Sequence, residues 1–263
     1  MDAPSRFPEI ATRAAERGAE IVLDAGLDTS TAVEAKALPG DYVTDVDLAS
    51  ERAIVEFLAL ETPDIPVHGE EGGGATGDRY WLVDPLDGTT NFAHGFPAVG
   101  VSVALMDGGA PVAGAIQAPF LRTSWAAGRG EGAVVRRHDG RTERLSVSQR
   151  PPERAVVATG FPFRRKARLL EGYLMTMTAA LARFEDLRRP GAAALDLAWV
   201  AEGVFDGFFE LALGPWDVAA GGLMIEEAGG IVTDWSGGPG WVNGDILAGP
   251  SRIHAELLGL TLR

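Results

Sequence analysis

Residues 81–92 read WLVDPLDGTTNF and place Asp84 and Asp87 where an apolar run ends. Pro85 suits the second position of a type I turn, because its φ is already fixed. Such a turn brings its first and fourth Cα atoms within about 7 Å, so both carboxylates can face one point. Uncompensated, they repel, and packing them at a strand end costs stability. A divalent cation removes the conflict. Carboxylate and carbonyl oxygens are hard ligands suited to Mg2+, and the Leu86 carbonyl lies in the same turn. Asp-Pro and Asp-Gly are also common turn formers, so the turn alone equally suits an ordinary surface loop. Gly88, Thr89, Thr90 and Asn91 follow directly. They add hydroxyls and a run of backbone N–H groups that can hold an anion if a helical turn starts there. Cation ligands beside an anion nest make a phosphate-ester site.

Other candidates lie far off in the chain. In GEE, residues 69–71, Glu70 or Glu71 could ligate a metal or orient a water, or the pair could be a solvated loop. Asp47 with Thr44 makes a capping box, and a helix start is compatible with a place on a catalytic rim. Asp217 opens PWDVAAGG, as a cap or as a ligand, and Ala219, Ala220, Gly221 and Gly222 leave room for close backbone approach. Gly191, Ala192 and Ala193 open a helix whose N–H groups would face a ligand. Glu210 ends VFDGFFEL, where it could accept hydrogen bonds from substrate hydroxyls or stand as a strand-end surface charge. His68, His94, His138 and His254 show no HExxH or close-pair spacing, and His94 reads as a structural hydrogen-bonding group. GxSxG and GxxxxGK[ST] do not occur.

The elements that must position these residues follow from periodicity and punctuation. Residues 5–26 and 44–63 have helical spacing, the second stopped by Pro63. Residues 31–43 look irregular. A short strand runs into the glycine-rich 65–78 loop, and RYWLVD is a strand. Residues 99–119 form two strands joined by a DGG turn, and TSWAAGRGEGAVVRRHDG continues in short strands. Beyond 145, strand and helix alternate: strand 155–160, helix 169–184, a helix within 188–203, strand 204–211, helix 216–230 closed by glycine, two more strands and a last helix. An α+β part (1–145) followed by an α/β part (146–263) is expected.

The 263 residues include no cysteine, which excludes thiolate metal centres and thiol catalysis and fits a reducing compartment. The first residues carry acids and arginines where a signal peptide needs an apolar run, and no stretch approaches the ~18 uncharged apolar residues of a membrane span. Cytoplasm is the expectation. A net charge of −14 repels nucleic-acid backbones and anionic membranes, and would repel a phosphorylated substrate too unless cations reverse the field at the site.

GEE (69–71), WLVDPLDGTTNF (81–92) and WDVAAGGLMIEEAGG (216–230) together resemble the inositol monophosphatase family of Mg2+-dependent, lithium-sensitive phosphatases. DYVTDVDLASE, ATGFPFR, RRPGAAALDLAWVAEGVFDGFFE and NGDILAG extend the similarity over most of the chain, closest to the bacterial branch. The resemblance implies the layered αβαβα sandwich shared with fructose-1,6-bisphosphatases, and a homodimer. It implies two to three Mg2+ per site, with inhibition by lithium or calcium. Glu70, Asp84 and the Leu86 carbonyl would hold one metal, and Asp84, Asp87 and Asp217 a second. Glu70 and Thr89, supported by Asp47, would activate a water. Gly88, Thr89 and Thr90 would meet the phosphate; Gly191, Ala193 and Glu210 would border the alcohol. Lys36 would lie on a mobile loop at the mouth. One position departs: the bacterial branch usually has lysine three residues before the second-motif aspartate, and here Gly214 leaves that pocket edge open. Hydrolysis of a small polyol phosphate, myo-inositol 1-phosphate first, is the implied activity. Alternatives are fructose 1,6-bisphosphate, histidinol phosphate or a nucleotide phosphate as substrate, or a regulatory protein that kept the fold. A sugar kinase would need a phosphate loop with a basic residue, and GGGATG (72–77) has none.

Overall fold

The computed structural model describes residues 5–27, 34–35, 42–162 and 166–261. Lys36 falls outside them. Two helices come first, α1 (Phe7–Ala25) and α2 (Asp45–Glu61), with a two-strand pair between them, β1 (Glu34–Ala35) and β2 (Tyr42–Val43). The expected capping box is present: the Thr44 side chain accepts from the Val46 and Asp47 N–H groups, and Asp47 accepts from the Thr44 N–H.

An eight-stranded sheet follows, built from β3 (Val67–Gly69), β4 (Gly73–Gly74), β5 (Arg79–Asp87), β6 (Gly100–Asp107), β7 (Ala110–Ala118), β8 (Thr123–Gly128), β9 (Gly132–Arg137) and β10 (Thr142–Arg144). Its order is β10-β9-β8-β7-β6-β5-β3-β4, antiparallel except for the β3–β5 pair. An unbroken run of six buried residues, 81–86, marks β5 as a central strand. The short helix α3 (Thr89–Ala93) leaves its end.

The second sheet has five strands, β11 (Val156–Thr159), β12 (Asp186–Arg188), β13 (Gly207–Glu210), β14 (Ile231–Thr233) and β15 (Ile246–Gly249), in the order β12-β11-β13-β15-β14. Helices α4 (Lys166–Arg183) and α7 (Ser251–Thr261) pack together outside it, whereas α5 (Ala193–Ala201) and α6 (Pro215–Glu227) lie between the two sheets. With α1 and α2 outside the first sheet, the layers run α, β, α, β, α, as expected. One apolar cluster joins both sheets through the middle helices, from Trp125 and Ile116 through Leu197 and Met224 to Phe208 and Ile246.

The small residues of α6 are what allow it to sit there. A Cβ on Gly114 of β7 would lie 3.0 Å from the Ala220 backbone, and one on Gly221 would lie 2.4 Å from the Leu197 side chain. Sheet and helix therefore approach backbone to backbone at Gly114, and Gly221 makes room for the Leu197 side chain of α5. Among the described residues no helix is long and apolar enough to cross a membrane.

Candidate metal centre

The parallel β3–β5 ladder aligns Gly69 with Val83, and the Glu70 N–H continues it by donating to the Val83 carbonyl at 3.0 Å. Glu70 and Asp84 thus leave neighbouring strand ends side by side, although 14 residues separate them in sequence. Asp217, in the first turn of α6, completes a set in which one oxygen from each of Glu70, Asp84 and Asp217 lies within 4.8 Å of the others. Ser102 of β6 anchors that turn by donating to the Trp216 carbonyl at 3.1 Å.

The DPLD segment is not the expected type I turn. It stays in the sheet as the end of β5, with a bulge: Asp84 pairs with Ser102 and Asp87 with Gly100, so three steps on β5 match two on β6. The extra residue re-aims the strand end. Pairing with β6 outweighs the local turn propensity, and the Ser50 hydroxyl of α2 holds the kink by donating to the Pro85 carbonyl at 2.8 Å.

Asp84 is buried, 1% exposed, against 5% for Asp217. Its Oδ1 accepts the Leu86 N–H at 3.0 Å, but its Oδ2 finds no hydrogen-bond donor among the described residues. Burial, then the charges of Glu70, Asp87 and Asp217, push its carboxyl well above the usual carboxylate range. Native proteins seldom leave a buried carboxylate oxygen unpaired. An oxygen left so beside two further carboxylates is what a hard divalent cation fits, and Mg2+ takes such all-oxygen sets.

Asp87 has a second task. Its Oδ2 accepts the Ala194 N–H at 2.7 Å, and the Ala193 N–H also favours its charged form. Of the N–H groups expected to face a ligand, that of Ala193 is thus taken up by Asp87 together with its neighbour Ala194, which locks α5 to the end of β5. Enclosure and the Asp217 charge still hold the Asp87 carboxyl well above its ordinary range. Gly191 precedes this cap with φ +91°, a left-handed conformation that suits glycine.

The other predicted residues fall around the cluster. Thr89 Oγ1 lies 3.2 Å from both Asp47 Oδ1 and the Leu86 carbonyl oxygen. Asp47 is buried, and that burial raises its pKa against the opposing hydrogen bonds from Thr44. Gly88 adopts a left-handed φ of +90° and turns the chain into α3, where Thr90 is exposed. Glu210 ends β13 and is 7% exposed, not a surface charge. A Cβ on Gly160 would lie 2.1 Å from its carboxylate, so ATG at 158–160 is glycine-terminated to admit it. His94 is exposed and bonds the Thr90 carbonyl through Nδ1, the structural reading.

Gly214 corrects another expectation. The edge is not open: Gly214 is buried, and a Cβ there would lie 2.5 Å from the Trp216 ring, which fills the space. Asp217 Oδ2 accepts the Gly214 N–H at 2.6 Å.

Sequence reasoning missed several supporting residues. Ser50 and Glu51 lie inside the DYVTDVDLASE motif, yet only the fold shows what they hold. Asn91 Nδ2 donates to the Ala98 and Pro190 carbonyls at 2.7 and 2.9 Å, tying α3 to the approach of α5. Asp196 is 1% exposed, with one oxygen unpaired, and burial followed by the Glu210 and Asp87 charges raises its pKa well above normal. Its only sequence signal is an acid in an otherwise apolar run, AALDLAWVA.

Comparison with known proteins agrees with this architecture. The chain is 40% identical over 258 residues to the "Putative Nus factor SuhB" of Neisseria meningitidis serogroup A, covering 96% of each. Its fold matches the crystal structure of the extragenic suppressor protein suhB from Bartonella henselae with a TM-score of 0.89, at 37% identity and 98% coverage of both chains. It also matches an inositol monophosphatase from Anabaena with a TM-score of 0.84, at 33% identity and coverage of 98% and 95%. The sequence model of the Inositol monophosphatase family spans residues 4–262, and the chain belongs to that family.

Proposed function

We propose that this protein hydrolyses a small polyol phosphate monoester, myo-inositol 1-phosphate before others, in a Mg2+-dependent reaction. The observation that carries the reading is the unpaired, buried Asp84 Oδ2 inside the Glu70–Asp84–Asp217 cluster. Glu70, Asp84, the Leu86 carbonyl, Asp87 and Asp217 are the groups that would hold Mg2+. When bound, the metal supplies Lewis acidity, neutralising the phosphate and lowering the pKa of water.

The chain's own residues do the rest. With its proton donated to Asp47, Thr89 Oγ1 keeps lone pairs free to orient a water, and Glu70 stands as the proton acceptor. The N–H groups of Gly88, Thr89 and Thr90 and the Thr90 hydroxyl offer donors to phosphate oxygens, at the positively polarised start of α3. Glu210 accepts from hydroxyls of the alcohol, with Gly191 and Ala193 bordering it. Among the described residues the grouped metal-binding side chains are carboxylates, and the proposed nucleophile is a water attacking phosphorus directly. Monoester hydrolysis is slow enough that enzymes supply up to about 10²¹-fold, and electrostatics with in-line positioning are the terms large enough to contribute most of that.

The test is a panel of phosphate monoesters assayed with purified protein at saturating Mg2+. The expected result is a kcat/KM for myo-inositol 1-phosphate at least tenfold above fructose 1,6-bisphosphate, histidinol phosphate and nucleotide phosphates. A rival preferred by more than tenfold overturns the substrate assignment; no Mg2+-stimulated phosphate release from any of them overturns the reaction.

A second reading draws on the relatives named Nus factor SuhB, which point to a regulatory role beside or instead of catalysis. The acidic surface speaks against direct binding of nucleic acid. A complete acid set favours a working phosphatase, and homodimerisation is part of the same proposal.

A further inference from the structure

Glu51 lies on α2, one turn after Asp47, and its side chain is buried. It does not belong to the acidic cluster. It reaches under the loop that follows β3, where Oε2 accepts the Glu71 N–H at 2.9 Å and Oε1 accepts the Gly72 N–H at 2.6 Å. Charge-assisted hydrogen bonds of this kind are shorter and stronger than neutral ones.

The loop is built around that carboxylate. A Cβ on Gly69 would lie 2.3 Å from Glu51 Oε2, and one on Gly72 would lie 2.6 Å from Oε1. Glycine at 69 and 72 is therefore room for Glu51. Gly73 and Gly74 follow with φ of +63° and +125°. A segment with four glycines in GEEGGG carries a large conformational entropy and needs outside tethers to hold one geometry. Glu70 sits between two of them: the Val83 carbonyl takes its own N–H, and Glu51 takes the next two.

We propose that Glu51 is a positioning residue for Glu70, fixing its backbone so that its carboxylate stays beside Asp84 and Asp217 and raising the affinity of the site for a divalent cation. The proposal rests on the reading of Glu70 as a metal ligand. Supporting groups around metal ligands typically contribute 10–100-fold in affinity.

The test is Mn2+ binding to metal-stripped protein, followed by electron paramagnetic resonance, in wild type, Glu51→Gln, Glu70→Gln and the double variant. Glutamine matches the shape but presents an NH2 to a backbone N–H, so one clamp bond is lost. The expected result is roughly tenfold weaker Mn2+ binding in Glu51→Gln. The double variant should bind no more weakly than Glu70→Gln alone, because the clamp acts through Glu70. Gly72→Ala crowds the same contact from the loop side and should weaken Mn2+ binding in the same direction, which keeps the test open if Glu51→Gln fails to fold. At saturating Mg2+ the KM of Glu51→Gln and Gly72→Ala for myo-inositol 1-phosphate should stay within about twofold of wild type. Wild-type Mn2+ affinity in both Glu51→Gln and Gly72→Ala overturns the proposal, as does full additivity in the double variant. Wild-type affinity in Glu70→Gln overturns the ligand reading of Glu70 and the proposal with it.

Discussion

Asp84→Asn is expected to lose Mg2+-dependent phosphate release by at least about a thousandfold, or ~4 kcal/mol of transition-state stabilisation, while remaining folded. The geometry separates the two effects. Asparagine keeps the Oδ1 that accepts the Leu86 N–H, so the bulge in β5 keeps its local bond. What changes is the second atom, the Oδ2 without a donor. An amide NH2 there is neutral, cannot ligate a cation, and no longer repels Glu70, Asp87 and Asp217. Removing one of several buried like charges without opening a cavity relieves the metal-free fold. Circular dichroism and a phosphate-release assay on the same preparation check both halves. Wild-type-like turnover would contradict the assignment.

A second large effect concerns the metal-free wild type. The Asp84 and Asp87 carboxyls are held well above their usual range, by burial first and by neighbouring acids next. The folded protein therefore holds protons at these sites that the unfolded chain releases near pH 4. Stability from this source is present below that pH and is lost as pH rises through the raised folded values. Each proton so retained makes stability fall by roughly 1.4 kcal/mol per pH unit across the window. Thermal unfolding after chelation should thus show Tm falling above the ordinary carboxylate range, more steeply in wild type than in Asp84→Asn. Saturating Mg2+ should raise the wild-type Tm and flatten its fall with pH, because a ligand that binds only the folded state stabilises it. Parallel Tm–pH curves for the two chelated proteins would count against the electrostatic picture.

Much of this arrangement was legible in the chain. The Thr44–Asp47 capping box, the DGG hairpin between β6 and β7 and the alanine–glycine start of α6 are local signals, and each decided its own element. The cluster acids stood out because apolar runs ended on them. What escaped depends on distant partners. Turn chemistry in DPLD gave way to strand pairing with β6 and to the Ser50 bond, neither of which a four-residue window contains. At the start of α5 the Ala194 N–H is held by Asp87, 107 residues away, a partner no local window contains. Gly214 looked like an opening until the Trp216 ring was seen to cover it. Glu51 drew no reading of its own in the sequence, and only the packing of α2 beneath the glycine loop gives it a partner.

The central physical claim is that carboxylates from strand ends and a helix start, remote in sequence, form one cation site. Anomalous diffraction from crystals soaked in Mn2+ addresses it without any assay. A peak bounded by Glu70, Asp84 and Asp217 is expected, and its disappearance in Asp84→Asn crystals should follow. Saturating Mn2+ with no anomalous density among those three side chains would contradict the account.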